Sequence, residues 1–392
     1  MAEGTILLNM KERKKMLVLE RVKAKGIKLK EASEIIGLSY RQTKRIWSRY
    51  KRYGAYGLPH ALRGTVGNRR KDKALKENVV TLYREKYKDF GPTLASEKLK
   101  ELDGLEVNRE TLRRWLRDAC LWAGRSKHRA HRRRRERKAH LGELVQLDGS
   151  DHNWFEKRRS VRTCLMVMVD DATGHTEAIM SEKETTKSAL SILRKWVERH
   201  GVPSALYTDK KNIYVSDREP TPEEKRQGSP HLTKFGQVCQ RLGIEIIPAN
   251  SPQAKGRVER KNGVFQDRFV KELRLRNINR ISGANGIIGE FTDDINQRFA
   301  IKPSHPANYH CKLPPNIDLD EVFSIESKRV VGNDWTLSYD GKTYQILNPK
   351  ANSRPRKKVT VNERPDGRIF CRDGEHNLAL LEVGVLKGRY KR

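Results

Sequence analysis

The pattern of apolar positions changes twice along the chain. Up to about residue 124, apolar residues recur at helical spacing, which predicts a mostly helical region. From Leu144 onward, short apolar runs alternate with helical spacings, and after about residue 320 only short strand-like runs remain. The sequence therefore predicts a multidomain protein with an all-α N-terminal part, a central α/β part and a β-rich C-terminal part.

Residues 1–62 are predicted to form a helix-turn-helix domain. A helix through Leu19 is followed by a second through Ala32, a tight turn at Gly37 and a third helix that Ser39 can cap. The third helix carries four basic residues that suit phosphate and base-edge contacts: Arg41, Lys44, Arg45 and Arg49. A plain three-helix bundle with a solvated basic face is the alternative. The turn, the cap and the basic face together favour DNA binding.

Residues 74–124 are predicted to form a second helix-turn-helix-like domain. Apolar residues around Val79 and Leu94 indicate two helices, and Asn108 can cap a third helix that contains Trp115. The third helix again carries arginines suited to DNA: Arg109, Arg113 and Arg114. Two such domains in tandem would lengthen the DNA site that the chain recognises.

Residues 125–140 form the most basic segment of the chain. We expect a linker that lies against phosphates and adds affinity without sequence choice, through Arg132, Arg133, Arg134 and Arg135. A nuclear-localisation signal is the alternative, and composition leaves it open.

Residues 141–300 show the element order of an RNase H-like mixed sheet. Three strands come first, with a turn at 170–174 between the second and the third, and the segment 212–230 indicates an inserted surface loop. The predicted elements are strands at 144–147, 163–169 and 175–180, a helix at 186–200, a strand at 205–208, a helix at 231–242, a strand at 244–247 and a helix after Pro252.

Three carboxylates stand at corresponding places in this central part. Asp148 follows the first predicted strand, Asp209 follows the fourth, and Glu259 lies on the helix after Pro252. Each alone would more often be a cap, a turn residue or part of a salt-bridged surface. Together they offer the oxygen ligands that a hard cation such as Mg²⁺ or Mn²⁺ prefers. Turn roles explain the rival acids more simply: Asp151, Asp170 and Asp171.

The segment 320–392 is predicted to form a small β-barrel. Short strands are separated by Asp-Gly turn pairs such as Asp340-Gly341 and Asp366-Gly367. Basic residues favour DNA contact for this domain, and a role in packing or assembly is the alternative.

Charge narrows the class of partner. Lys and Arg number 82 against 49 Asp and Glu, a net charge of +33. Such an excess attracts a polyanion, and without a basic amphipathic anchor or lipidation motif, nucleic acid is favoured over a membrane surface. The five scattered cysteines form neither a disulfide framework nor a zinc motif. With no apolar segment of spanning length and no secretory leader, we expect a soluble, cytoplasmic protein.

Three sequence blocks resemble those of DDE-type insertion-sequence transposases of the retroviral-integrase superfamily, of the integrase-core ISNCY kind. They are Gln146-Leu-Asp148, Tyr207-Thr-Asp209 and Ser251-Pro-Gln-Ala-Lys-Gly-Arg-Val-Glu259-Arg-Lys-Asn. The resemblance covers roughly residues 140–300 and is most specific in the third block. Lys210-Lys211 departs from it, since relatives often have a turn such as Asn-Gly there. The paired His and Cys of retroviral integrases are missing as well, so no zinc is expected.

The resemblance implies cleavage of a phosphodiester at the transposon end and attack of the freed 3′-OH on target DNA. Asp148, Asp209 and Glu259 would hold two Mg²⁺ or Mn²⁺ ions, with Asp148 bridging them. Lys255, Arg257 and Lys261 would hold DNA phosphate, and a dimer or larger form would act on paired DNA ends. Two other classes remain open, a non-catalytic DNA-binding regulator and a structure-selective nuclease.

Overall fold

The structure is a computed structural model in which two parts of the chain form compact units, Met1–Gly124 and Arg125–Arg392. It describes residues 6–60, 63, 71–124, 135–216, 218, 226, 231–249, 255–314, 316–349 and 355–385. Arg132, Arg133 and Arg134, and most of the predicted insertion at 212–230, lie outside the described residues.

The first three helices have the predicted helix-turn-helix order. They are α1 (Met10–Lys23), α2 (Leu29–Ile36) and α3 (Tyr40–Tyr53). Gly37 ends α2 at a positive φ of 74°, a conformation that favours glycine, and the Ser39 hydroxyl caps α3 by accepting from the Gln42 amide. Leu19 and Ile46 pack with Leu58 in a small core. The turn and the cap therefore fix how α3 leaves α2.

The next three helices likewise combine a helix cap with buried apolar residues. They are α4 (Lys73–Glu85), α5 (Pro92–Asp103) and α6 (Arg109–Asp118). Tyr83, Leu99 and Leu112 are among the buried residues, and the Asn108 side chain accepts from the Glu110 amide to cap α6. The predicted cap and the predicted third helix are thus present.

The second unit is built on a five-stranded mixed sheet. Its strands lie in the order β3-β2-β1-β4-β5; β1, β2 and β3 pair antiparallel, while β4 and β5 run parallel to β1. The elements are β1 (Val145–His152), β2 (Thr163–Asp170), β3 (Thr176–Ser181), α7 (Thr186–His200), β4 (Ala205–Thr208), α8 (Lys234–Leu242), β5 (Glu245–Pro248), α9 (Gly256–Leu275) and α10 (Ile281–Phe299). From β1 to α9 this is the element order that the sequence predicts, and α10 is an additional helix.

Helices cover both faces of this sheet. On β2, Met166 and Met168 join a core with α7 and α8, while Leu165 and Val167 join a second core with α9 and α10. Successive strand residues point to opposite faces, so a continuous apolar strand feeds both cores.

One predicted strand end is wrong, because β1 continues to His152 instead of stopping before Asp148. Asp148 pairs with Val167 of β2, so hydrogen bonding to β2 carries the strand onward. On its other side, β1 pairs with β4 only at Val145 and Gln146. Asp148 therefore lies within a strand but beyond the end of the β1–β4 ladder.

The C-terminal part forms two antiparallel sheets over the described residues, β11-β10-β9-β6 and β12-β8-β7. The predicted closed barrel is therefore not supported. The two sheets share one core that includes Leu337, Tyr344 and Val361. Inward and outward residues alternate in barrels and in packed open sheets alike, so the sequence pattern could not separate them. The elements are α11 (Leu319–Val322), β6 (Ile325–Val330), β7 (Thr336–Tyr339), β8 (Lys342–Ile346), β9 (Lys358–Glu363), β10 (Ile369–Asp373), β11 (His376–Leu378) and β12 (Leu380–Val385).

Candidate active site

Two of the predicted acids come to the same level of neighbouring strands. Gln146 of β1 pairs with Tyr207 of β4 in parallel, so Asp148 and Asp209 each lie two residues farther along. Adjacent strands lie about 4.8 Å apart. Both carboxylates are partly buried, with side-chain exposures of 18% and 26%. The fold thus brings together two acids that are 61 positions apart in the sequence.

Asp148 is held by two residues at the start of α9. The Lys255 ammonium lies 2.6 Å from Oδ1, and the Asn262 side-chain amide donates to Oδ2 at 2.9 Å. Both partners are themselves buried, each with an exposure of 7%. Asp148 is therefore fixed in orientation, and its negative charge is already neutralised by a cation.

Asp209 shares a lysine with another carboxylate. The Lys211 ammonium lies 3.1 Å from Asp209 Oδ2 and 2.5 Å from Glu184 Oε2, and the Lys211 amide donates to Asp209 Oδ1. Glu184 also accepts from the Tyr214 hydroxyl at 2.8 Å. Burial disfavours the charge of Lys211, but its hydrogen bonds and ion pairs with Glu184 and Asp209 outweigh this and raise its pKa.

Glu259 is exposed and lies in the first turn of α9. It follows Lys255 by four residues and precedes Asn262 by three, so helical spacing places it on the same face as these two. Since both of them contact Asp148, this face of α9 is turned toward Asp148. The Gln146 side-chain oxygen accepts from the Val258 amide at 3.1 Å and ties the start of α9 to β1.

Arg257 and Lys261, predicted beside Glu259 as phosphate contacts, point elsewhere. The Arg257 side chain is 9% exposed, and its Nε lies 2.9 Å from Asp171 Oδ1. The Lys261 ammonium is buried, has no hydrogen-bond partner among the described residues, and lies 6.0 Å from the centre of the Phe299 ring. Burial, with Arg137 nearby, lowers the pKa of Lys261 to about 8. Of the three predicted basic residues around Glu259, the structure brings only Lys255 to an acid of the trio.

The rival acids Asp170 and Asp171 hold the turn after β2. Asp170 accepts from the Gly142 and Thr173 amides, at 2.9 and 2.7 Å. Asp171 has no solvent exposure and binds Arg135 and Arg257. Arg135, predicted to contact DNA from the linker, is thus engaged with a buried carboxylate.

The predicted DNA-binding residues of the helical unit differ in exposure. On α3 all four are exposed: Arg41, Lys44, Arg45 and Arg49. On α6, Arg109 and Arg114 are exposed, whereas Arg113 is half-buried, pairs with Glu110 and lies over the Trp122 ring. The basic face of α3 is therefore fully available to a partner.

Within the described residues, the group of side chains whose geometry could hold a metal ion does not include Asp148, Asp209 or Glu259. Among the described residues, His175, Glu177 and His200 have ligand atoms within 4.8 Å of one another. Glu177 is fully buried, and its carboxylate already pairs with Lys195, Arg199 and His200 at 2.9–3.1 Å. The charge that would attract a metal ion is neutralised by these partners, so the cluster fits a structural role.

Sequence reasoning missed four residues around the acids: Glu184, Lys211, Tyr214 and Asn262. Asn262 closes the third motif block, and Lys211 stands out as a departure from the family pattern, so both left a signal. Glu184 left none, because it is one of two acids, with Glu182, in the polar stretch between β3 and α7.

Comparison with known proteins agrees with the motifs. Residues 9–59 match the model of a homeodomain-like domain, which confirms the first helix-turn-helix prediction. A putative transposase of Sinorhizobium fredii, y4bF, is 35% identical over 96% of this chain and 81% of its own length. The transposase for insertion sequence IS1202 of Streptococcus pneumoniae is 26% identical over 86% of this chain and 78% of its own length.

Among solved structures, the catalytic core domain of HTLV-2 integrase, in complex with magnesium, matches with a TM-score of 0.33. Its identity is 21% over 43% of this chain and 94% of that chain.

Within the described residues, no helix is long and apolar enough to cross a membrane. Because the Sinorhizobium transposase is 35% identical over 96% of this chain, the chain belongs to the transposase family.

Proposed function

We propose that this transposase cleaves the phosphodiester at the ends of an insertion sequence and joins the freed 3′-OH to target DNA, using Asp148, Asp209 and Glu259. The observation that carries the proposal is the convergence of Asp148 and Asp209 at the end of the β1–β4 ladder, each with a lysine ammonium on its carboxylate. A positive charge therefore already lies on each of the two carboxylates that would bind metal ions.

The donor set fits divalent metal ions. Carboxylate oxygens from a strand, from the end of a neighbouring strand and from a helix suit hard cations such as Mg²⁺ or Mn²⁺, and Asp148, Asp209 and Glu259 would hold two such ions. When bound, such ions activate the attacking oxygen and stabilise the leaving oxygen. No side-chain nucleophile is required for this chemistry.

The chain's own residues orient the acids. Asn262 donates to one oxygen of Asp148 and leaves the other oxygen to Lys255. The Gln146 side chain ties the start of α9 to β1, and we expect this contact to direct Glu259 toward Asp148. Lys255, once released from Asp148, is placed to bind a DNA phosphate beside the acids.

The DNA partners follow from the helical unit and from the reaction. The exposed basic face of α3 suits recognition of the element's terminal repeats, with α6 extending the contact. Two ends must be cut and joined together, so we expect a dimer or larger assembly on double-stranded DNA. Affinity carried by lysine and arginine contacts to phosphate should fall steeply with salt.

The test is strand transfer by the full chain with substitutions that preserve side-chain size: Asp148→Asn, Asp209→Asn and Glu259→Gln. Each should lower Mg²⁺-dependent cleavage and joining by at least about 100-fold, the scale seen when one group that stabilises transition-state charge is removed. Binding of end DNA, measured by mobility shift without divalent metal, should change little. Asp151→Asn is the matched control, because Asp151 is an exposed acid on the same strand.

Full strand transfer by Asp148→Asn would overturn the catalytic assignment. Cleavage without joining, and without preference for the element's ends, would favour a nuclease. A complete lack of cleavage by the unsubstituted protein, with intact end binding, would favour a DNA-binding regulator.

A further inference from the structure

Glu184 is a fourth carboxylate beside the proposed acids. It follows β3, its side chain is 13% exposed, and it accepts from the Tyr214 hydroxyl at 2.8 Å. Tyr214 is buried and packs edge-on against Phe235, so this hydrogen bond anchors Glu184 to the core. A Cβ atom added at Gly149 would lie 2.5 Å from Glu184 Oε2. The carboxylate thus rests on the backbone next to Asp148, at a position where only glycine leaves room.

Lys211 connects Glu184 to the catalytic acids. Its ammonium lies 2.5 Å from Glu184 and 3.1 Å from Asp209, so one positive charge is shared by two carboxylates. An ammonium has three donor hydrogens and can serve both acceptors at once. Its side chain is 49% exposed, which leaves it free to move toward either carboxylate.

We propose that Glu184 is a positioning residue that, through Lys211, sets how readily Asp209 accepts a divalent cation. The inference rests on the proposed function, in which Asp209 is a metal ligand. While Lys211 lies on Asp209, its charge competes with the metal ion for the same oxygen. Glu184 offers Lys211 a second counter-ion, so that Lys211 can leave Asp209 without losing its ion pair. Without Glu184, Lys211 would pair with Asp209 alone and exclude the metal more strongly.

The test measures metal binding directly, with Mn²⁺ added to the full-length protein and free Mn²⁺ quantified by electron paramagnetic resonance. Lys211→Met should bind Mn²⁺ about two- to five-fold more tightly, the scale of one partly exposed ion pair. Glu184→Gln, which keeps an acceptor for Tyr214, should bind Mn²⁺ more weakly by a similar factor. Lys210→Met and Glu182→Gln are matched controls, since both side chains are exposed and carry the same charges. Neither should change the affinity by as much.

The double variant Glu184→Gln/Lys211→Met shows whether Glu184 acts through Lys211 or attracts the metal ion directly by its own negative charge. If Glu184 acts through Lys211, Glu184→Gln should have no effect on Mn²⁺ affinity when Lys211 is already Met. An equal loss of affinity in both backgrounds would overturn the inference, and so would unchanged affinity in Lys211→Met. Asp209→Asn keeps this outcome distinct from failure of the proposed function. If Asp209→Asn leaves Mn²⁺ binding intact, Asp209 is not a metal ligand and the proposed function itself fails.

Discussion

Arg257 tests whether the basic residues of the third motif block bind DNA or stabilise the fold. In the structure it is buried against Asp171, whereas the sequence motif predicts that it contacts DNA phosphate. Its guanidinium pairs with Asp171, which is fully buried, and also donates to the Asp171 backbone oxygen at 2.9 Å. Arg257→Met keeps most of the apolar stem but removes the charge. Removing one partner of a buried ion pair costs about 3–5 kcal/mol.

The expected cost lies at or below the lower end of this range, because Asp171 keeps other partners. Arg135 still pairs with it, the Lys138 amide donates at 2.8 Å and the Gln146 side chain donates at 2.7 Å. We therefore expect a loss of about 2–3 kcal/mol from the unit that contains the mixed sheet. For a domain of this size, the melting temperature of that unit should fall by about 5–10 °C.

Scanning calorimetry of the full chain measures this directly. The matched control is Arg260→Met, which removes an exposed arginine three residues farther along α9. It should lower the free energy of unfolding by less than about 0.5 kcal/mol. A structural role for Arg257 would be contradicted if Arg257→Met melts like the unsubstituted protein while losing most of its affinity for DNA. That result would mean that the guanidinium leaves Asp171 and faces phosphate.

Two further predictions concern pH and recognition. Burial, together with His200 and His175, lowers the pKa of His310 from 6.5 to about 4, so the folded protein resists its protonation. The stability that neutral His310 contributes is complete above pH 6.5 and is lost as the pH falls toward 4. Urea unfolding should therefore show that the free energy of unfolding falls by about 1 kcal/mol between pH 7 and pH 5, and His310→Gln should remove this fall. An equal fall in His310→Gln would contradict the prediction. Arg45→Ala should weaken binding to terminal-repeat DNA by about 1–3 kcal/mol if Arg45 contacts a base. Equal weakening on random DNA in a mobility-shift assay would show a phosphate contact instead.

The element order of the second unit could be predicted because each element has a simple apolar period. The bounds of α7 and β4 agree with the sequence pattern residue for residue, since capping at Thr185 and the short apolar run before Asp209 are local signals. The end of β1 could not be predicted in the same way. Pairing with β2 extends the strand through Asp148 to His152, and that partner is not encoded in the local pattern.

The roles of the basic residues around Glu259 could not be predicted from their proximity in sequence. Neighbouring residues on a helix point about 100° apart, so Lys255, Arg257 and Lys261 have different surroundings. Lys255 contacts Asp148, Arg257 contacts Asp171, and Lys261 lies near Phe299. Only tertiary packing decides which of these charges is near the acids.

Tertiary packing also means that the net charge of +33 is a poor measure of the affinity for DNA. Part of the basic excess is used inside the fold, as in the pairing of Arg257 with Asp171 and of Arg199 with Glu177, two carboxylates without solvent exposure. Charges held in this way release no counterions on DNA and add nothing to the salt dependence of binding. The arginines of α3 are exposed, and we expect them to contribute to this salt dependence. Affinity for DNA therefore depends on where the folded chain leaves positive charge exposed, and the total in the sequence overstates it.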